Sequence, residues 1–226
     1  MMNKTDLWIW SLTPGEDRLA ALRSLLSDDE QARAARFRRA SDRVHFEAAH
    51  GRLREILSLY CDRPPDALHF ETCENRKPFL PGGPEFNLSH AAGWAALVID
   101  DEPVGVDIER FRTVEPGIAE RFFSPAEVAA LDALPLEERE GGFFRCWTRK
   151  EAFVKAIGTG LTIPLESFDV SLSPEPFPTR VTIRLPEMAA QNWMITPFEL
   201  ATDFPGAIAT LGARRLRLRE TRLPLS

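Results

Sequence analysis

The stretch PVGVDIER, residues 103–110, alternates in character: Val104, Val106 and Ile108 fall on one parity, and Gly105, Asp107 and Glu109 on the other. Alternation at period two reads as a strand, and alternate side chains of a strand share a face, so the two carboxylates point the same way. Acidic residues are depleted from strands, and neighbouring like charges repel. A fold that contains this strand must give its acidic face to water, as a half-solvated edge, or to a cation that turns the repulsion into shared ligation. Oxygen ligands of this kind suit Mg²⁺, which takes one or two protein carboxylates together with water and substrate phosphates.

The rest of the chain alternates short strands with two long helices. LWIW (7–10) reads as a first strand, and the residues from Ser27 to Phe37 as a helix with Ser27 as N-cap. Asp42 to Tyr60 carries an apolar stripe at helical spacing through Val44, Ala48, Leu53, Ile56 and Leu57. NRKPFLPGGP is a Pro/Gly loop, and FNLSH (86–90) a short strand. WAALVID (94–100) and VGVDIER (104–110) read as a hairpin around Asp101–Pro103, which sets Glu109 opposite Trp94 and brings Ser89 and His90 towards the acidic end. FSPAEVAALDAL opens a helix with Ser124 as cap and Pro125 at its first position; a second long helix ends at Gly158 or Gly160. FDVSL, RVTIRL, NWMITPFEL and GAIATL read as further strands before an alternating basic tail. A few strands plus one long helix thus occur twice, with a seam near Pro103.

On the second long helix, Glu151 and Lys155 lie at i, i+4. An isolated pair of this kind is a surface ion pair worth ~0.3–0.5 kcal/mol. A helical wheel sets both at the border of the stripe formed by Phe143, Cys146, Trp147, Phe153, Val154 and Ile157, where a helix meets a cleft, while Arg145 and Arg149 occupy the far face. Lys150 projects within the stripe, either as a snorkelling stem or in a buried ion pair.

The 226 residues, 44% of them apolar, suffice for a real core, and a net charge of −6 argues against wholesale binding to nucleic acid or anionic membranes. Three widely spaced cysteines show no metal-ligand spacing and read as reduced thiols of a cytosolic protein. No stretch approaches the ~20 apolar residues of a spanning helix.

FNLSH (86–90), VGVDIER (104–110), RFFSPAE (121–127) and WTRKEAFVKAIGTGL (147–161), in this order, resemble the signature of the Sfp-type 4′-phosphopantetheinyl transferases, with NRKP (75–78) similar to that family's G-K-P element. The resemblance implies an α+β fold of two similar halves about a pseudo-twofold, each a small, mostly antiparallel sheet packed on a long helix. The halves would be residues 1–102, on the coenzyme A side, and 103–226, with the metal-binding carboxylates. It implies transfer of the phosphopantetheine arm of coenzyme A to a serine of an acyl or peptidyl carrier protein, with release of 3′,5′-ADP, by a cytoplasmic, monomeric holo-carrier-protein synthase. Asp107, Glu109 and Glu151 would ligate Mg²⁺. Lys155 and His90 would contact the pyrophosphate, Lys77 and Ser89 the adenine–phosphate end, and Arg33 and Arg36 the 3′-phosphate, the alternative for these arginines being a solvated basic helix face. The serine nucleophile belongs to the partner; its base is Glu151 or a water.

Two departures stand out. Asn75-Arg76 precede Lys77 where the family often has a glycine, and His50 stands where relatives frequently carry arginine. The tail arginines 214, 215, 217, 219 and 222 read as a solvated strand edge or as a surface for acidic carrier proteins. The same carboxylates could also serve another Mg²⁺-dependent phosphate enzyme such as a nuclease. Nuclease cores often place a lysine two residues beyond a strand acid, whereas Glu109 is followed by Arg110 and Phe111. A catalytically silent binding module of the family is the third reading; it would have no reason to keep Asp107, Glu109, Glu151 and Lys155 together.

Overall fold

Apolar alternation in the strands and apolar stripes on two long helices are satisfied by stacking two four-stranded sheets face to face, with a long helix on each outer side. The structure is a computed structural model that describes residues 4–73, 77–158, 163–186, 188 and 190–219. In chain order the elements are β1 (Lys4–Ser11), α1 (Glu16–Arg23), α2 (Asp28–Ala35), α3 (Ala40–Ser58), β2 (Glu71–Thr72), β3 (Pro78–Phe79), β4 (Glu85–Ala91), β5 (Trp94–Asp100) and β6 (Val104–Ile108). They continue with α4 (Ile118–Phe122), α5 (Pro125–Asp132), α6 (Leu136–Ile157), β7 (Phe168–Asp169), β8 (Thr179–Arg180), β9 (Thr182–Ile183), β10 (Trp193–Ala201), β11 (Phe204–Leu211) and β12 (Arg215–Arg219).

The first sheet runs β12-β1-β5-β4, the second β6-β11-β10-β8. All pairings within them are antiparallel except β1 with β12, which is parallel. α3 covers the first sheet through Leu53, Ile56 and Leu57 against Trp8, Phe86, Leu97 and Ile99. α6 covers the second through Phe153 and Ala156 against Ile195, Ala207 and Ala209. Between the sheets, Leu7, Ala96 and Val98 meet Val104, Val106, Ile108 and Ile208. The apolar parity of β6 therefore lines this central layer, and its polar parity faces α6. Among the described residues no helix is long and apolar enough to cross a membrane.

The helix ends follow their local chemistry. Ser27 and Ser124 each accept from the backbone N–H three residues on, while Glu30 and Glu127 reach back to the cap residue's N–H, forming two capping boxes. α6 ends at Gly158, whose φ of 67° belongs to the left-handed region; Gly160, the other candidate stop, lies outside the described residues, as do Asn75, Arg76 and Arg222.

The expected hairpin between WAALVID and VGVDIER does not form. β5 is already paired on both edges, by β1 and by β4, and has no free edge to offer; Trp94 faces Ser11 and Ala91. β6 crosses into the second sheet and pairs with β11. The hairpin partner of β5 is β4, joined to it through Ala92 and Gly93, both at positive φ (46° and 80°) as a primed two-residue turn requires. RVTIRL divides into β8 and β9, and only Phe168–Asp169 of FDVSL is strand.

The basic tail is neither free nor simply solvated. Arg217 and Arg219 pair with the buried Asp6 of β1, and Arg214 lies 3.7 Å from Asp100. Lys150 resolves as a buried ion pair. Its side chain is 0% exposed and lies 2.7 Å from Glu127, itself 2% exposed, and it donates to the carbonyls of Leu165 and Phe168. The second Glu127 oxygen accepts from the Val170 N–H, so the pair ties α5, α6 and the chain on both sides of β7 together. Removing one partner of a buried pair strands the other charge. Lys150→Met should lower unfolding free energy by about 3–5 kcal/mol, read from the urea midpoint.

Glu30 joins a cap to tertiary structure: it accepts from Ser27 and Arg54 and pairs with His50 at 3.1 Å. Burial by itself would raise its pKa, but the bonds from His50 and the Ser27 N–H, with the Arg54 charge, outweigh burial and hold it at about 2 against an ordinary 4.5. The stabilisation is present in full above pH ~4.5 and is lost as pH falls towards ~2. It amounts to about 3 kcal/mol. Glu30→Gln should therefore lower the melting temperature at pH 7 and flatten its decline between pH 5 and 2, followed by calorimetry.

Candidate active site

β6, β4 and α6 meet at one cleft of about 470 Å³, lined by Leu88, Ser89, His90, Asp107, Ile108, Glu109, Trp147, Glu151 and Lys155. What sets these elements side by side is a pair of side-chain bonds from β4. Asn87 Oδ1 accepts from the Val106 N–H at 2.9 Å, and Ser89 Oγ donates to Asp107 Oδ1 at 2.9 Å. Asn87 and Ser89 share a parity, so one face of β4 makes both bonds. Thus Ser89 and His90 do reach the acidic end of β6, but by lateral packing of β4 rather than through a hairpin register.

Gly105 lets α6 come close. A Cβ there would fall under 3.0 Å from the Ala152 carbonyl oxygen and the Ala156 nitrogen. The space beside the carboxylates is thus filled by helix backbone, and the missing side chain is what brings Glu151 and Lys155 over Asp107.

Asp107 is 5% exposed. Lys155 Nζ donates to its Oδ1 at 2.6 Å and to Ser89 Oγ at 3.2 Å. Oδ2 is buried without a hydrogen-bond partner. Burial pushes the Asp107 carboxyl above the usual range, with Glu109 adding to the rise and Lys155 and Ser89 opposing it. Burial, then the charge of Asp107, also raises Glu151, against the pull of Lys155. Glu109 lies just past the strand end, its N–H donating to Pro205 O, and its Oε2 accepts from Arg112 Nη1 at 2.6 Å. His90 is exposed on the cleft rim; partial desolvation, then the positive charge of Lys155, His50 and His45, lowers its pKa.

The donor set suits a hard divalent cation: three carboxylates on one cleft, one with an orphaned buried oxygen, and two whose pKa is raised by burial and mutual repulsion that a cation would relieve. As they stand, each of the two strand acids is held by its own protein cation, and among the described residues no three His, Cys, Asp or Glu side chains are gathered as a ready metal cluster.

Other residues singled out in the sequence lie elsewhere. Lys77 lines a separate cavity of about 650 Å³ with Phe79, Pro103, Gly158 and Trp193. Its ammonium donates to Val104 O and Ala156 O, lies 3.6 Å from Glu85, and has its pKa lowered by burial. Arg33 stacks over Phe46, 5.0 Å from its centroid, Phe46 stacks on His50, and Arg36 caps the C-terminus of α2. Neither arginine lines the cleft.

Residues 103–209 match the model of the 4′-phosphopantetheinyl transferase superfamily. The chain is 37% identical over 195 residues to the 4′-phosphopantetheinyl transferase psf-1 of Bacillus pumilus, covering 85% of this chain and 82% of that protein. The chain belongs to the 4′-phosphopantetheinyl transferase family. Two further relatives in the family are HetI of Nostoc sp., 36% identical over 182 residues (77% and 76% covered), and Sfp of Bacillus subtilis, 34% identical over 172 residues (73% of each). The α+β architecture of small sheets on long helices agrees with this family.

Sequence reasoning passed over three participants. Asn87 shares the parity of Ser89, a signal that was readable; Arg112 lies three residues from Glu109; and Trp147, assigned to the apolar stripe, also forms a cleft wall. In this transferase Gly105→Ala should cost about 1–3 kcal/mol, because overpacking forces β6 and α6 apart. Thermal unfolding checks it, and a melting temperature equal to that of the unmodified protein would show that α6 can give way.

Proposed function

We propose that the protein transfers the 4′-phosphopantetheine arm of coenzyme A to a serine of an acyl or peptidyl carrier protein and releases 3′,5′-ADP, as a monomeric, cytoplasmic holo-carrier-protein synthase. What carries this reading is the cleft in which Ser89 and His90 of β4, Asp107 and Glu109 of β6 and Glu151 and Lys155 of α6 converge, with a buried carboxylate oxygen left without a partner. Residues 1–102 contribute the coenzyme A side of the cleft and residues 103–226 its carboxylates.

Asp107, Glu109 and Glu151 would hold Mg²⁺, which when bound supplies positive charge against the negative charge that builds on the leaving diphosphate end. Lys155 puts a second positive charge beside Asp107, where it can bond a pyrophosphate oxygen. His90, on the rim, donates to another. The partner's serine oxygen forms the new P–O bond as the bond to the departing 3′,5′-ADP breaks, and the serine proton passes to Glu151 or to a water beside it. Ser89 holds the adenine–phosphate end from within the cleft, and Lys77 joins it by giving up the carbonyls of Val104 and Ala156. Arg33 and Arg36 receive the 3′-phosphate, for which the guanidinium offers paired donors.

Incubation with coenzyme A, Mg²⁺ and an apo carrier protein, followed by mass spectrometry, should show the carrier heavier by one phosphopantetheine arm. No gain over a panel of fatty-acid, polyketide and peptide carriers, with nuclease activity present instead, would refute the reading. Asp107→Ala should lower Mg²⁺-dependent turnover by at least ~10²-fold while circular dichroism stays unchanged; near-normal turnover would remove Asp107 from the metal site.

A further inference from the structure

Arg112 is three residues beyond Glu109, outside the strand, and its guanidinium bonds Glu109 Oε2 at 2.6 Å while lying 5.2 Å from the centroid of the Phe144 ring. Its side chain is 62% exposed, and that of Glu109 is 21% exposed. The Arg112 pKa is raised, first by this hydrogen bond and then by the charges of Glu109 and Asp107, so the guanidinium feels both strand acids. Lys155 holds Asp107 in the same way. Each of the two strand carboxylates therefore has a resident protein cation. Lys155 is part of the reacting cleft; Arg112 stands at its edge and is absent from the cleft lining.

We infer that Arg112 competes with the divalent cation for Glu109, so that the free protein binds its metal more weakly than its carboxylates alone would. This rests on the assignment of Glu109 as a metal ligand. A cation that takes Glu109 must either displace the guanidinium from Oε2 or share the carboxylate with it. Displacement breaks the Arg112–Glu109 ion pair, and sharing leaves a like charge within one carboxylate's width of the metal; both outcomes cost binding free energy. The cost is modest, because an exposed ion pair is worth little in water and is screened by salt.

The test is calorimetric titration of Mg²⁺ into the full-length protein, without coenzyme A or carrier, for the unmodified protein, Arg112→Gln and Arg112→Lys, with melting curves to confirm folding. Arg112→Gln should bind Mg²⁺ about two- to fivefold more tightly, the range of an exposed ion pair. Arg112→Lys, which keeps the charge, should remain close to the unmodified protein. Unchanged or weaker binding by Arg112→Gln would overturn the inference, the weaker result making Arg112 a support of the site. Tightening by both variants would also overturn it, since charge would then not be the cause. No Mg²⁺ binding by the unmodified protein, or binding that survives Glu109→Gln, would instead overturn the metal assignment itself.

Discussion

The two bonds from β4 to β6, Asn87 to the Val106 N–H and Ser89 to Asp107, are the joint on which the site depends. They link the edge of one sheet to the edge strand of the other, where no backbone ladder runs between them. A buried backbone N–H left without an acceptor costs ~1–3 kcal/mol, so Asn87 is needed wherever β6 turns away from β4's ladder. Once β6 is held there, its polar parity has only α6 to face, and Gly105 sets how near α6 comes.

Much of this was legible in the residues. Period-two alternation identified β6 and its acidic face, helical periodicity identified α3 and α6, and the caps at Ser27, Ser124 and Gly158 fell where their side chains or backbone freedom put them. The cleft residues Ser89, His90, Asp107, Glu109, Glu151 and Lys155 were all selected from sequence, and they line one cavity. The illegible part was strand partnership. Residues 101–103 are short enough for a hairpin, and nothing in β5 itself reveals that both its edges are taken; that information resides in β1, nearly a hundred residues away. Lys77 was illegible for a related reason: its stem runs across the seam to carbonyls of β6 and α6, a contact that no local pattern encodes.

The two lysines of α6 show how burial separates structural from chemical charge. Lys150 is enclosed, with a carboxylate and two carbonyls around its ammonium, so its charge is spent on holding elements together. Lys155, five residues on and on another face of the helix, is 30% exposed and shares Asp107 with Ser89, leaving its ammonium open to a further oxygen. Both lysines lie at helical spacing beside apolar residues, and only the surroundings distinguish them.

The parallel pairing of β1 with β12 has a consequence for synthesis. Asp6 is buried in β1, and 211 residues separate it from Arg217, its counter-ion. At the ribosome's pace of roughly 5–20 residues per second, that interval lasts some tens of seconds. Until β12 emerges, β1 has one unpaired edge and a carboxylate facing Tyr60 alone. The first sheet is thus completed, and Asp6 fully neutralised, only once β12 has been made, after every strand of the second sheet.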